Sequence, residues 1–382
     1  MLGINSNINS LVAQQNLNGS QSALSQAITR LSSGKRINSA ADDAAGLAIS
    51  TRMQTQINGL NQGVSNANDG VSMIQTASSA LSSLTSSLQR IRQLAVQAST
   101  GSLSSSDQAA LQKEVSAQIA EVNRIASQTT YNGTNILDGS AGSVTFQVGA
   151  NVGQTISLNL SQSMSAAKIG GGLVQTGQTV GTVTVSTDST GTYTSTGAAI
   201  TSVNVLSDGK GGYTFTDQNN QAISSGAVAN IFSAGTGAGS GTAVTNLTLN
   251  ATLATAMGAT ASGVATASIA QINAINSPPT VSGLDISTVT GANQAMVSID
   301  NALQTVNTLQ AALGAAQNRF TAIATSQQAE STDLSSAQSQ ITDANFAQET
   351  ANLSKAQVLQ QAGISVLAQA NSNPQQVLKL LQ

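Results

Sequence analysis

Residues 57–95, INGLNQGVSNANDGVSMIQTASSALSSLTSSLQRIRQLA, decide the fold. Apolar side chains recur at Ile57, Leu60, Val64, Ala67, Val71, Ile74, Ala77, Leu81, Leu84, Leu88, Ile91 and Ala95. Steps of three and four put them on one face of a helix, and only the two threes around Ile74 depart from a seven-residue repeat. Upstream, Ser39-Ala40-Ala41-Asp42 has the spacing of a capping box, with Asp42 at the positive end of the helix dipole. The helix is therefore expected from Ala40 to Ser99, about 90 Å long at ~1.5 Å per residue. A single globular domain rarely uses such a rod.

Working outward, Ile4, Ile8, Leu11, Leu17, Leu24, Ile28 and Leu31 form a stripe on a first helix that Ser32-Ser33-Gly34 interrupts. Beyond Gly101, Leu111, Val115, Ile119, Val122 and Ala126 predict a shorter amphipathic helix. Near the other end, Met296, Ile299, Leu303, Val306, Leu309, Leu313, Ala316, Phe320 and Ile323 predict a third long rod. The last segment offers Leu353, Ala356, Gln360 and Leu367 before Pro374, then Val377-Leu378-Lys379-Leu380-Leu381.

Between these helices the period changes. Asn132-Gly133 and Asp138-Gly139 read as turns. Val144 to Val148 and Ile156 to Leu160 alternate with period two around Gly149 to Gly153, which predicts a β-hairpin. From Gln175 to Ser277 the only ionisable acidic or basic residues are Asp188, Asp208, Lys210 and Asp217. Short alternating stretches such as Thr182 to Val185 and Tyr213 to Thr216 predict a separate β-rich domain there. Gly235 to Gly241 reads as a loop, and Pro278-Pro279 marks the exit.

An isolated helix exposes its whole apolar stripe, so both ends need cover. The simplest solution pairs the N-terminal helices with the C-terminal ones and lets copies of the chain cover the remaining faces. The expected class is α+β: long antiparallel helical rods, a coiled coil formed by both termini, with a β-hairpin and an inserted β-rich outer domain.

Composition narrows the function. Of 382 residues, 8% are charged, against about 25% in an ordinary soluble protein. Ser, Thr, Asn and Gln carry the polarity, and such groups are buried against partners more cheaply than charges are. A net charge of -3 leaves little repulsion between copies. With no basic patch, nucleic acid is not an expected partner. The chain has no Cys and no His, which removes disulfides, thiolate and His-based metal sites, and the commonest general base. No catalytic residue, metal or cofactor is expected. The first basic residue is Arg30, so no charged leader precedes an apolar segment. Polar residues interrupt every candidate span, and no membrane insertion is expected.

The ends of the chain resemble bacterial flagellin, the filament subunit. Gln21-Ser22-Ala23-Leu24, then the run from Arg30-Leu31-Ser32-Ser33-Gly34 to Asp42-Asp43-Ala44-Ala45-Gly46, and Asn66-Ala67-Asn68-Asp69-Gly70 are similar to the family's N-terminal signature. Gly314-Ala315-Ala316-Gln317-Asn318-Arg319-Phe320, Leu359-Gln360-Gln361-Ala362-Gly363 and Val366 to Asn371 are similar to its C-terminal one. The resemblance covers about residues 1–175 and 285–382.

It implies a flagellar filament of many copies, extracellular and used for swimming. Residues 1–44 and 346–382 would be inner-core helices, 45–175 and 285–345 a surrounding helical shell, and 176–284 a variable domain facing outward. The implied assembly core includes Leu24, Ile28, Leu31, Leu353, Leu359, Leu367, Leu378 and Leu381. It also implies export through the flagellar secretion apparatus, an export chaperone on the C-terminal helix, and filament cap and junction proteins as partners.

Gln89, Arg90, Leu94 and Glu114 match the patch read by the vertebrate Toll-like receptor for flagellin, Toll-like receptor 5. Gln93 stands where strongly recognised relatives carry Glu. The plainer reading makes Leu94 packing and Arg90 a solvated or intersubunit contact.

Other signals carry less. Ser32 to Lys35 and Ser165 to Lys168 match a short acyl-transfer pattern without its companion motifs. Gly59-x-x-x-Gly63 reads as close helix packing. Two rival functions share the helical ends: a hook-filament junction protein, which would not polymerise on seeds, and a coiled-coil extracellular adhesin, which would need an anchor.

Overall fold

The computed structural model describes residues 7–237 and 244–380, with side chains for 7–233 and 246–372. Ile4 and Leu381, and the side chain of Leu378, lie outside the described residues. The elements follow in chain order: α1 (Ile8–Ser33), α2 (Ala44–Ala98), α3 (Ser105–Gln128), β1 (Thr130–Tyr131), β2 (Thr134–Asn135), β3 (Gly142–Gln147), β4 (Thr155–Leu160), β5 (Thr179–Thr187), β6 (Ile200–Ser207) and β7 (Tyr213–Asp217). Next come α4 (Ser225–Ile231), β8 (Phe232–Gly237), β9 (Val244–Leu249), α5 (Ala251–Ile275), α6 (Val289–Thr342) and α7 (Phe346–Leu380). Helices α1, α2, α3, α6 and α7 and the hairpin β3-β4 stand where the apolar periods put them. The chain divides into two compact units, one of residues 1–68, 147–155 and 321–382, the other of 69–146 and 156–320.

In the first unit α1 begins at Asn7, whose side chain accepts from Ser10 N at 3.2 Å, and ends at Gly34. Gly34 has φ 70°, the left-handed conformation that glycine adopts without a Cβ penalty. The capping box expected at Ser39 is absent. The Asp42 carboxylate instead accepts from the N–H groups of Asn38 and Ser39 and from the Ser39 hydroxyl, at 3.0–3.2 Å. That closes a turn, and the helix starts at Ala44 with Asp43 accepting from Gly46 N at 2.9 Å. The donors nearest each carboxylate decide which of the two adjacent aspartates serves as the cap. Gly59 and Gly63, read as a helix-packing pair, lie against the hairpin turn: a Cβ at Gly63 would overlap the Val148 carbonyl oxygen. Asn66 holds the same turn, donating to Gln147 O at 2.7 Å.

In the second unit the α2 positions Leu81, Leu84, Leu88, Ile91 and Leu94 are buried, as are Val115 and Val122 of α3 and Ala302, Val306, Leu313 and Phe320 of α6. Phe320 meets Phe146 edge to face, centroids 5.3 Å apart. A capping box opens α3, where Ser104 and Asp107 bond each other's backbone N–H. The Asn132-Gly133 turn joins β1 to β2, with both residues at positive φ.

The middle of the chain is less purely β than expected. Strands β5-β6-β7 form an antiparallel sheet and β8 pairs with β9, so Gly235 to Gly237, read as loop, are strand. The helical segment α5, broken by a kink at Gly258 (φ 78°), has no counterpart among the expected elements. Its Ala, Gly and Thr content hides a helical stripe of Leu253, Ala265, Ile269, Ile272 and Ile275, which packs with Val183, Val203 and Phe232. Of the described helices, α5 alone is long and apolar enough to cross a membrane by length and composition. That buried stripe covers β5 and β9.

Three turns of this region share one device. The carboxylates of Asp188, Asp208 and Asp217 each accept from the N–H groups two and four residues on, at 2.7–3.0 Å.

Candidate assembly seam and recognition patch

Helices α1 and α7 pack along each other in antiparallel sense. Asn7 Nδ2 donates to Ala370 O at 2.9 Å, and Ser10 Oγ to Asn371 Oδ1 at 3.0 Å. Midway, the Gly363 backbone faces Leu17. At the loop end Arg30 Nη1 stands 4.0 Å from Glu349 Oε1. Beyond it, Ala344 N donates to Gly34 O at 2.9 Å and Arg36 N to Thr342 O at 2.6 Å, clamping the two loops together.

The residues buried between these helices are small. Ala13, Ala27, Ala356 and Ala370 are buried, and Ala356, Gly363 and Ala370 repeat every seventh residue. Small side chains let two backbones approach closely. The expected core leucines flank this seam: Leu24, Leu31, Leu353 and Leu367 are half-buried, while Ile28 and Leu359 are exposed. Ile8, Leu11, Val12, Val358, Ile364 and Val366 are also exposed. Spacing alone marked the large residues; the heptad row of Ala and Gly was the signal for the seam itself.

The second unit carries the other expected patch. Gln89 and Arg90 are exposed and Glu114 is half-buried. Arg90 Nη2 lies 2.6 Å from Glu114 Oε1, tying α2 to α3, and Arg90 Nη1 reaches Gln93 Oε1 at 3.5 Å. Leu94 is 1% exposed and points into the core, because it shares the helical face of Leu84, Leu88 and Ile91. It can support the patch but does not form its surface. Two residues past Arg90, Arg92 grips Asp300 of α6 through two bonds of 2.6 and 3.3 Å, and that hydrogen bonding with the carboxylate charge raises the pKa of the guanidinium. Among the described residues, no group of three or more acids could hold a metal ion.

Comparison with known proteins agrees with this geometry. The bacterial flagellin N-terminal helical region matches residues 4–142, the flagellin D2 domain 172–275, and the bacterial flagellin C-terminal helical region 296–381. Flagellin B of Vibrio cholerae is 37% identical over 392 residues, covering 100% of this chain and 99% of that protein. B-type flagellin of Pseudomonas aeruginosa is 35% identical, with both chains covered at 100%. The solved structure of FliC from Burkholderia pseudomallei aligns at 66% identity and TM-score 0.61, covering 65% of this chain and 99% of that one. The chain belongs to the bacterial flagellin family, the structural subunits of the flagellar filament.

Proposed function

We propose that this filament subunit assembles through the outward aliphatic faces of α1 and α7, and that copies of the chain cover those faces in the filament core. The observation that carries this reading is that small residues and half-buried leucines already fill the seam within the chain, while a second set of large apolar residues, among them Ile8, Leu11, Val358 and Ile364, faces away from it. Each large aliphatic side chain is worth about 1.5–3 kcal/mol once covered. Residues 1–44 and 346–382 then line the inner core, 45–175 and 285–345 form the shell around it, and 176–284 faces outward.

The protein acts as a scaffold without catalytic chemistry or a cofactor. It leaves the cell through the flagellar secretion apparatus, with an export chaperone on α7 and the cap and junction proteins at the filament ends. Similarity to flagellins along the full chain supports the filament over the junction protein. The Arg90–Glu114 pair beside Gln89 supports a further reading, contact with Toll-like receptor 5 by free subunits.

Seeded polymerisation tests the main reading. Removing about 40 residues from each end should leave a soluble chain that adds to no seed. Leu31→Asp or Leu367→Asp should block growth by placing an unpaired charge in a seam that closes on assembly. Filaments built by the truncated chain would overturn the mechanism.

A further inference from the structure

The β-rich region in the middle of the chain leaves the helices and rejoins them through two short crossings. Gly170-Gly171-Gly172 lies on the outgoing one and Pro278-Pro279 on the returning one. Consecutive glycines are the composition of a flexible linker. A domain hung on such crossings swings unless an apolar contact holds it.

Both crossings are tied down instead. Gly170 sits at φ 89°, and a Cβ there would meet Val281 and the Ser298 carbonyl oxygen. Glycine at this position serves close approach rather than freedom. Val281 N donates to Ile169 O and Ser282 N to Ala166 O, each at 3.0 Å, which joins the returning crossing to the outgoing one.

One turn of α6, residues 297–301, then holds the pair. Val297 belongs to the same buried cluster as Val174, Val180 and Ile275, so the core of the β-rich region reaches into the helix. Ser298, fully buried, donates through Oγ to Pro279 O at 2.8 Å. Asn301 Nδ2 donates to Leu173 O at 3.2 Å. Asp300 accepts from Gln178 Nε2 at 3.4 Å, one residue before β5, and from Arg92 of α2 through its two shorter bonds. One turn earlier, Gln294 Nε2 donates to Ala274 O of α5 at 2.9 Å. To swing, the domain would have to draw its core off Val297 and lose the bonds to both crossings. Those contacts share one helical turn, so they open together or not at all.

We propose that residues 297–301 of α6, braced by Arg92, are a rigid mount that sets one direction in which the β-rich domain stands on the helices. Val297, Ser298, Asp300 and Asn301 are positioning residues, and the glycine and proline crossings carry the chain without aiming it. Every copy in a filament then presents the same face of this domain at the same angle. The mount does not depend on which faces of α1 and α7 meet other copies.

The test uses the full soluble chain, whose lack of cysteine lets two introduced thiols carry spin labels. Ser116→Cys on α3 and Asn219→Cys on the Asp217 turn are exposed positions of one compact unit. Pulsed electron resonance should give a single narrow distance distribution between them. The variant S298A/D300A/N301A should broaden it, and amides of the two crossings should exchange about tenfold faster while those of β6 keep their protection. R92M, which removes only the brace, should broaden it less. If the triple variant does not fold, N301A is read in the same way. A broad distribution in the parent chain would make the crossings hinges and overturn the mount. Variants that stay as narrow as the parent would also overturn it, as would variants that broaden only when β6 loses protection, because the turn would then serve the fold of the domain and not its direction.

Discussion

Two helical regions of this protein have nearly the same hydrophobic spacing and opposite burial. In α2, the stripe of Leu81, Leu84, Leu88, Ile91 and Leu94 is almost wholly buried within one chain. In α1 and α7, Ile8, Leu11, Val358 and Ile364 are more than half exposed while alanines fill the seam. Periodicity shows that a face will be covered. It does not say whether the cover comes from the same chain. Side-chain size at the contacting rows carries that second message, since small residues at the intrachain seam leave the large ones for other partners.

The comparison breaks most sharply at Phe320. Phe320→Ala removes a fully buried ring and its contact with Phe146, and should cost about 3–5 kcal/mol in chemical denaturation. An effect under 1 kcal/mol would mean that this core is not closed within the chain.

Gly63→Ala tests the close approach of α2 to the hairpin turn. A Cβ there meets the Val148 backbone, which cannot swing aside as a side chain can. The expected loss is about 1–3 kcal/mol, with hydrogen-exchange protection falling around residues 147–151.

Ile364→Ser makes the opposite case. This residue is 54% exposed, so unfolding of the soluble chain should shift by at most ~0.5 kcal/mol. Seeded growth should nevertheless slow severalfold. A subunit that loses stability and polymerises normally would place Ile364 in the first class of helix, not the second.

The smallest effect is expected in acid. Backbone N–H groups of Asn38 and Ser39 hold the Asp42 carboxyl below its ordinary range. A carboxylate with a lowered folded pKa adds stability that is complete above the unfolded value, near pH ~4, and is lost as pH falls through the folded one. The turn before α2 should therefore loosen only below about pH 4, read by amide protection at Asn38 and Ser39. Loosening at neutral pH would show that the carboxylate does not hold it.

The sequence made the long helices legible because their polar and apolar residues alternate at one period over many turns. It made the hairpin legible through period two and the glycines between its strands. The start of α2 was misplaced because Asp42 and Asp43 are adjacent, and only the geometry of the donors around them tells a turn from a cap. Helix α5 was hidden by composition: Ala, Thr and Gly alternate there without polar contrast, so neither period stands out. At the candidate site, Leu17, Leu24, Leu31, Leu353, Ala356 and Leu367 marked one side of the seam, but Ala13, Ala27 and Ala370 did not stand out, because alanine is a weak apolar signal even when it sets the distance between two helices. Leu94 enters the recognition patch only through the resemblance, and the plainer reading, packing, follows from its spacing from Leu84 and Ile91 and agrees with its burial.

The three aspartate-headed turns lead in another direction. Each carboxylate binds backbone donors within its own five residues, so the loop's shape is written locally. Asn219 is exposed at the tip of the Asp217 turn, while Gln218 turns back, accepting from Thr201 N at 3.2 Å and donating to Ala199 O at 2.8 Å. Such a turn is a replaceable part: its outward letters can be rewritten while the sheet beneath keeps its address, which leaves a surface able to drift in appearance from one lineage to the next at small structural expense.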